Sequence, residues 1–298
     1  MKNLLKWAVL AAITQVLSIS CTSSKDDSFT HLPFRQSENG LWGVLTADGK
    51  AIISDEYSSP PFAATEGIYI VKKENGLFEY YKADPKPVRI GSQYYKAAAF
   101  KESMAPVMED EEIISVINTK GDVVFKLEKV SGKRIISCSL FSEGLAVIQN
   151  EDGLKGYVDK KGNIAVTPQY SEAFSFSEGL AIVKSDEGER SKWLLINNKG
   201  EEIQKLDDEI KETTGSISGG LIGILKSVDD GAWGFVSKNN EELIKPSREF
   251  VSVTPPKFKT FTYFDGTKWG VSDITGKRII PAEFDNILNS GKGFFIVK

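Results

Sequence analysis

The chain has 298 residues, of which 41% are hydrophobic, 26% charged and 10% aromatic. That composition belongs to a folded globular protein and excludes collagen-like, disordered and polytopic membrane chains. Thirty-seven basic against 41 acidic residues give a net charge of −4, so the basic excess of a nucleic-acid binder is missing and no nucleic-acid partner is expected. One histidine, His31, and two cysteines, Cys21 and Cys138, rule out zinc sites of four cysteines or of two cysteines and two histidines. No metal or cofactor is expected.

Residues 1–20 place Lys2 and Lys6 around the start of an apolar run from Trp7 to Leu17, with no acidic residue before Asp26. This order reads as a secretory signal peptide, with a run too short to span a bilayer comfortably. The stretch Leu17-Ser18-Ile19-Ser20-Cys21 resembles the lipobox of bacterial lipoproteins, although Ser18 stands where that family usually has a leucine-like residue. The resemblance implies cleavage before Cys21 and lipid on that cysteine, and several acyl chains on one residue anchor firmly. Residues 21–30 are polar and lack periodicity, as in a flexible tether. Within them Lys25-Asp26-Asp27 resembles the surface-export signal of lipoproteins from Bacteroidetes-type bacteria. The expected location is the cell envelope, as an outer-membrane lipoprotein with the membrane as partner through the N-terminal lipid. Cys138 lies in an apolar stretch and reads as a buried, inert thiol.

From residue 31 to 298 the chain repeats itself. Trp42-Gly43, Trp233-Gly234 and Trp269-Gly270 share one dipeptide, Trp193-Leu194 keeps the tryptophan, and Lys155-Gly156 keeps the glycine. Seven residues after each stands a turn position: Gly49, Asn240, Gly276, Gly200 and Gly162. With Phe78 and Ile114 as degenerate copies, the phases fall at 42, 78, 114, 155, 193, 233 and 269, in steps of 36 to 41 residues. A fixed step of this size marks a tandem array. Ahead of several phases stands a Glu-Gly-Leu-Ala-x-Val element, clearest at Glu143–Val147 and Glu178–Val183, with Phe100, Phe141 or Phe176 upstream. After each turn comes a short aliphatic pair such as Ile164-Ala165 or Ile279-Ile280, in places followed by proline and an aromatic.

At these residues the chain resembles the WG-repeat proteins, also called KWG-repeat proteins, over nearly all of residues 31–298. The best copy is Phe141–Tyr170, and the copies with Phe78-Glu79 and Ile114-Ser115 depart from the pattern. The resemblance implies an architecture and no activity.

Each unit reads as three strands joined by tight turns, because alternating β-branched residues suit strands and Asn, Asp and Gly suit positive φ. Proline would end the third strand, since it donates nothing to a ladder. The expected fold is therefore all-β: about seven three-stranded meanders of 36–41 residues, in a propeller-like ring rather than an open superhelix, with the strand at Gly293–Lys298 joining the ends. Helical turns are expected only at 96–104 and 206–213. Trp42, Gly43, Gly156, Trp193, Trp233, Gly234, Trp269 and Gly270 define the repeat, and the tryptophans are expected in inter-repeat packing.

No motif ties His31 to a nucleophile, and Glu109-Asp110-Glu111-Glu112 lacks the spacing of a calcium loop. No catalytic residue is expected. The function expected is non-enzymatic binding of a protein or glycan on the repeat surface. The alternatives are a glycan hydrolase that uses channel carboxylates and a purely structural envelope spacer.

Overall fold

A computed structural model describes residues 31–46, 49–82, 88–186, 191–227, 231–289 and 295–297. The signal segment 1–20, Cys21 and the tether to residue 30 lie outside the described residues. The chain forms two compact units: one holds the described residues up to 111 together with 117–123, and the other holds 112–116 and everything from 124 onward.

The fold is all-β, with no helix among the described residues. The segments expected to turn helically do not. Residues 96–104 hold the strand Lys96–Ala97 and the start of Met104–Met108, while 206–213 pass through a turn into Glu212–Ser218. Thr213 pairs with Ile224 there, so the backbone finds its partners across strands.

Among the described residues eight antiparallel sheets follow one another along the chain. Five have four strands in sequential order, as in Glu172–Ala173, Ala181–Ser185, Lys192–Ile196 and Glu202–Lys205. The sheet at the N-terminal end of the array has three strands, another gains a fifth at Lys129–Val130, and the last is the hairpin of Ile287–Asn289 with Phe295–Val297. The repeat thus has one strand more than the three read from the sequence. The extra strand comes first and is as short as two residues, too short to show a period of two. Four-stranded meanders are the form that propeller blades take. The C-terminal strand does not extend the sheet that ends at Phe284; its partner is Ile287–Asn289.

The Glu-Gly pairs are the loops between first and second strands. Glu143 and Gly144 have φ of 53° and 82°, and Glu178 and Gly179 have 53° and 81°, the backbone of a two-residue hairpin turn with both central φ positive. The carboxylate of one turn accepts N–H groups from the same turn of the next repeat. Glu66 takes the Ser103 amide at 2.9 Å, Glu143 the Gly179 amide at 2.9 Å, and Glu178 the Gly219 and Gly220 amides at 2.5 and 3.1 Å. Lys238 adds an ion pair to Glu178 at 3.0 Å.

Apolar packing joins successive repeats in the same way. Tyr80 meets Phe100 of the next repeat with ring centroids 5.0 Å apart, Tyr157 meets Phe176 at 4.9 Å, and Phe235 meets Phe261 at 4.6 Å. The buried Tyr80 and Tyr157 hydroxyls donate to the carbonyls of Ala98 and Phe174, so neither leaves a polar group unpaired.

Candidate functional site

The structure places the repeat-defining residues at or next to the start of the strand before the last in each sheet. Trp193 is buried, 6% exposed, while Trp42, Trp233 and Trp269 are half-buried. The fully buried place belongs to the residue two further on: Val44, Tyr157, Phe235 and Val271. The tryptophans border that core. Trp193 stacks on Phe174 of its own repeat at 6.2 Å and donates its indole N–H to the Lys211 carbonyl at 3.3 Å. Arg35 lies 4.9 Å from the Trp42 ring, and Phe264 lies 5.3 Å from Trp269.

The following glycine receives the fourth strand. A Cβ on Gly156 would stand 2.4 Å from the Val166 carbonyl oxygen and 2.6 Å from the Pro168 nitrogen. On Gly234 it would meet the Ile244 oxygen at 2.5 Å, and on Gly270 the Ile280 oxygen at 2.8 Å. The close approach is made by a bulge. Lys155 and Tyr157 face Tyr170 and Val166, and Trp42 and Val44 face Tyr57 and Ile53. A two-residue step on one strand is therefore matched by a four-residue step on the other. Pro168 and Pro281 lie inside Ile164–Tyr170 and Arg278–Phe284, at the bulge, and do not end the strand as the sequence reading had it. A bulge leaves backbone groups out of the ladder, so the missing proline N–H costs nothing there. Where Leu194 replaces the glycine, Leu194 and Leu195 pair one-to-one with Lys205 and Gln204, so no bulge lies at that position, and a register shift follows at Ile196.

Lys155 stands in a tryptophan slot and has a cleft of about 340 Å³ beside it. The cleft is walled by Ser137, Ser139, Gln149, Lys155, Phe174 and Ser175. The Lys155 ammonium pairs with Glu172, on the first strand of the next repeat. Gln149 donates to the Gly153 carbonyl at 3.1 Å and so holds its own hairpin turn. Cys138 also borders the cleft; burial pushes its thiol up to about 12, which keeps it protonated and unreactive at neutral pH.

In the repeat around Phe78, Glu79 fills the glycine position and is 2% exposed. It accepts from Gln93 at 2.8 Å, Tyr81 at 2.9 Å and Arg89 at 3.3 Å, with Lys73 at 4.0 Å. Burial opposes its ionisation, but the bonds from Gln93 and Tyr81 and the charges of Lys73 and Arg89 outweigh it and hold the carboxyl below its ordinary range. In the sequence this position showed only as a departure from Trp-Gly. A buried, fully bonded carboxylate of this kind organises its surroundings and is poorly placed to exchange protons with a substrate.

On the fourth strands one aliphatic side chain recurs in solvent. Ile203, Leu243 and Ile279 each lie ten residues after Trp193, Trp233 and Trp269 and are 53%, 51% and 54% exposed. Val88, Val124 and Ile164 are exposed near the start of the same strand in earlier repeats.

No curated protein matches the chain. Among solved structures it is similar to the computationally designed Ika8 protein, at 13% identity and TM-score 0.55 over 90% of this chain and 89% of that one. It is also similar to a eukaryotic initiation factor, at 11% identity and TM-score 0.57 over 88% and 76%. BamB from Moraxella catarrhalis matches at 13% identity and TM-score 0.46 over 84% and 79%. At these identities the first two show the fold alone. Residues 156–188 and 269–298 match the family model described as WG containing repeat.

Proposed function

We propose that this protein is a non-enzymatic binding module, held at the cell envelope by lipid on Cys21, whose repeat surface engages a protein or glycan partner. The observation that carries the reading is the recurrence of Ile203, Leu243 and Ile279 in solvent at one position of the repeat. Single exposed aliphatics are ordinary, but a set held in register by the array offers a partner the same apolar contact several times. The anchor rests on the order of residues 1–21, a basic start, an apolar run, small residues and a cysteine.

The test is a photo-crosslinking residue placed in cells at position 203, 243 or 279, with position 161 as a polar surface control. One common adduct at the three sites and none at 161 is the expected result. No adduct, or the same adduct at 161, overturns the surface. Cys21→Ala should release the protein from membranes and remove the acyl mass from its N-terminus; an unmodified N-terminus in the wild type overturns the anchor. Reducing ends released from polysaccharide by the purified protein would overturn the non-enzymatic reading.

A further inference from the structure

We infer that the cleft beside Lys155 is a saccharide-binding site that takes an uncharged pyranose. The inference rests on the binding-module reading and adds a site apart from the fourth-strand aliphatics. The cleft exists because a lysine stands where an indole would. In the next repeat the Trp193 indole reaches the following first-strand region and donates to the Lys211 carbonyl. The Lys155 side chain takes the same direction and reaches Glu172, but it carries no ring to fill the space beside its stem. The space lost from the indole is the space a ring-shaped ligand of similar breadth gains.

The walls select the chemistry. Ser175 offers a hydroxyl and Gln149 the second N–H of its carboxamide, while Ser137 and Ser139, whose hydroxyls donate to Gln149 Oε1 at 3.5 Å and the Leu140 carbonyl at 3.1 Å, keep an acceptor position each. Phe174 and Val147 add apolar surface between them. The Lys155 ammonium meets the Glu172 carboxylate, so this pair presents no net charge. An ionic ligand gains no net attraction from it, since each charge of the pair offsets the other. A neutral sugar needs none. Its hydroxyls extend the pair's hydrogen bonds, because the ammonium has three donors and the carboxylate about four acceptor sites. Its C–H face lies against the apolar wall. Few oriented polar groups on an apolar ground is the general make-up of a small-molecule site, and about 340 Å³ is near the lower end of the range for one.

The test uses the full-length protein in a sugar-free zwitterionic detergent, titrated with glucose, galactose, mannose and N-acetylglucosamine and followed by saturation-transfer NMR. At least one sugar should bind. Lys155→Trp restores the indole, fills the cleft and should weaken that sugar at least tenfold while the thermal midpoint holds or rises. Glu172→Ala, an exposed change on a short strand, should weaken it too, and keeps the idea testable if Lys155→Trp folds poorly. No binding of any of the four sugars to the wild type overturns the inference, as does undiminished binding by a folded Lys155→Trp protein. If the sugars fail while the crosslinks at 203, 243 and 279 persist, this site falls and the binding-module reading stands.

Discussion

Gly156 and Leu194 occupy the same register position in adjacent repeats, and the neighbouring strand pairs differently over each. Without a Cβ, Gly156 lets the carbonyl of Val166 and the nitrogen of Pro168 lie against it, and the fourth strand bulges toward the third. With an isobutyl group in that place Leu194 and Leu195 pair one-to-one with Lys205 and Gln204, and the register shift comes only at Ile196. Gly156→Ala should therefore destabilise by about 1–3 kcal/mol, as overpacking does, because the atoms it meets are backbone and cannot rotate away. Urea unfolding at constant slope measures this, and an unchanged midpoint would contradict the close packing. The Glu79 repeat solves the problem differently: the bulge is kept, and its side chains Arg89 and Gln93 turn to hold the carboxylate.

At the level of the element, the turn between first and second strands does two jobs. It reverses the chain with positive φ at both central residues, and its glutamate reaches the next turn. Glu178 shows this best, with two amides and Lys238 on one carboxylate. Glu178→Ala should lower stability by about 1 kcal/mol, since the group is partly solvated. Hydrogen exchange should speed up at Gly219 and Gly220 and leave Gly179 unchanged, because Gly179 is held by Glu143. Equal protection in the variant would dismiss the bond. The sequence showed the turn residues and the phases clearly, since both are local signals. It read Leu-Ala-x-Val as a strand, as found, but did not show that the Glu-Gly pair before it is a turn, because a Glu-Gly pair beside an alternating run reads as the run's beginning. It also missed first strands such as Glu172–Ala173, which are defined by what they pair with and not by their own composition.

The whole molecule's response to acid follows from its carboxylates. Glu79, Glu178, Asp159, Asp207, Asp265 and Asp273 all titrate below their ordinary range. For Asp207 and Asp265 the leading cause is a backbone N–H, from Glu209 and Lys268. For the other buried or part-buried groups burial works against ionisation and hydrogen bonds overcome it. A folded value below the unfolded one gives stability that is complete above the unfolded value, near pH 4, and is lost as pH falls through the folded values. Stability should thus stay level from neutral pH down to about 5 and drop steeply below about 4. Glu79→Gln should lower stability at neutral pH and make the acid limb shallower; an acid limb as steep as the wild type's would remove Glu79 from this account.

The sequence by itself determined an all-β array, the length of its repeat and the hairpin turns on either side of the Trp-Gly strand, because glycine turns and β alternation are written within a dozen residues. The same short range left the rest to the tertiary structure. The bulge over Gly156, the glutamate bonds between turns, the Glu79 network and the cleft at Lys155 each depend on which backbone or side chain a different strand or repeat brings within a few ångströms. No local pattern encodes that distance, and only the stacking of one repeat on the next decided it.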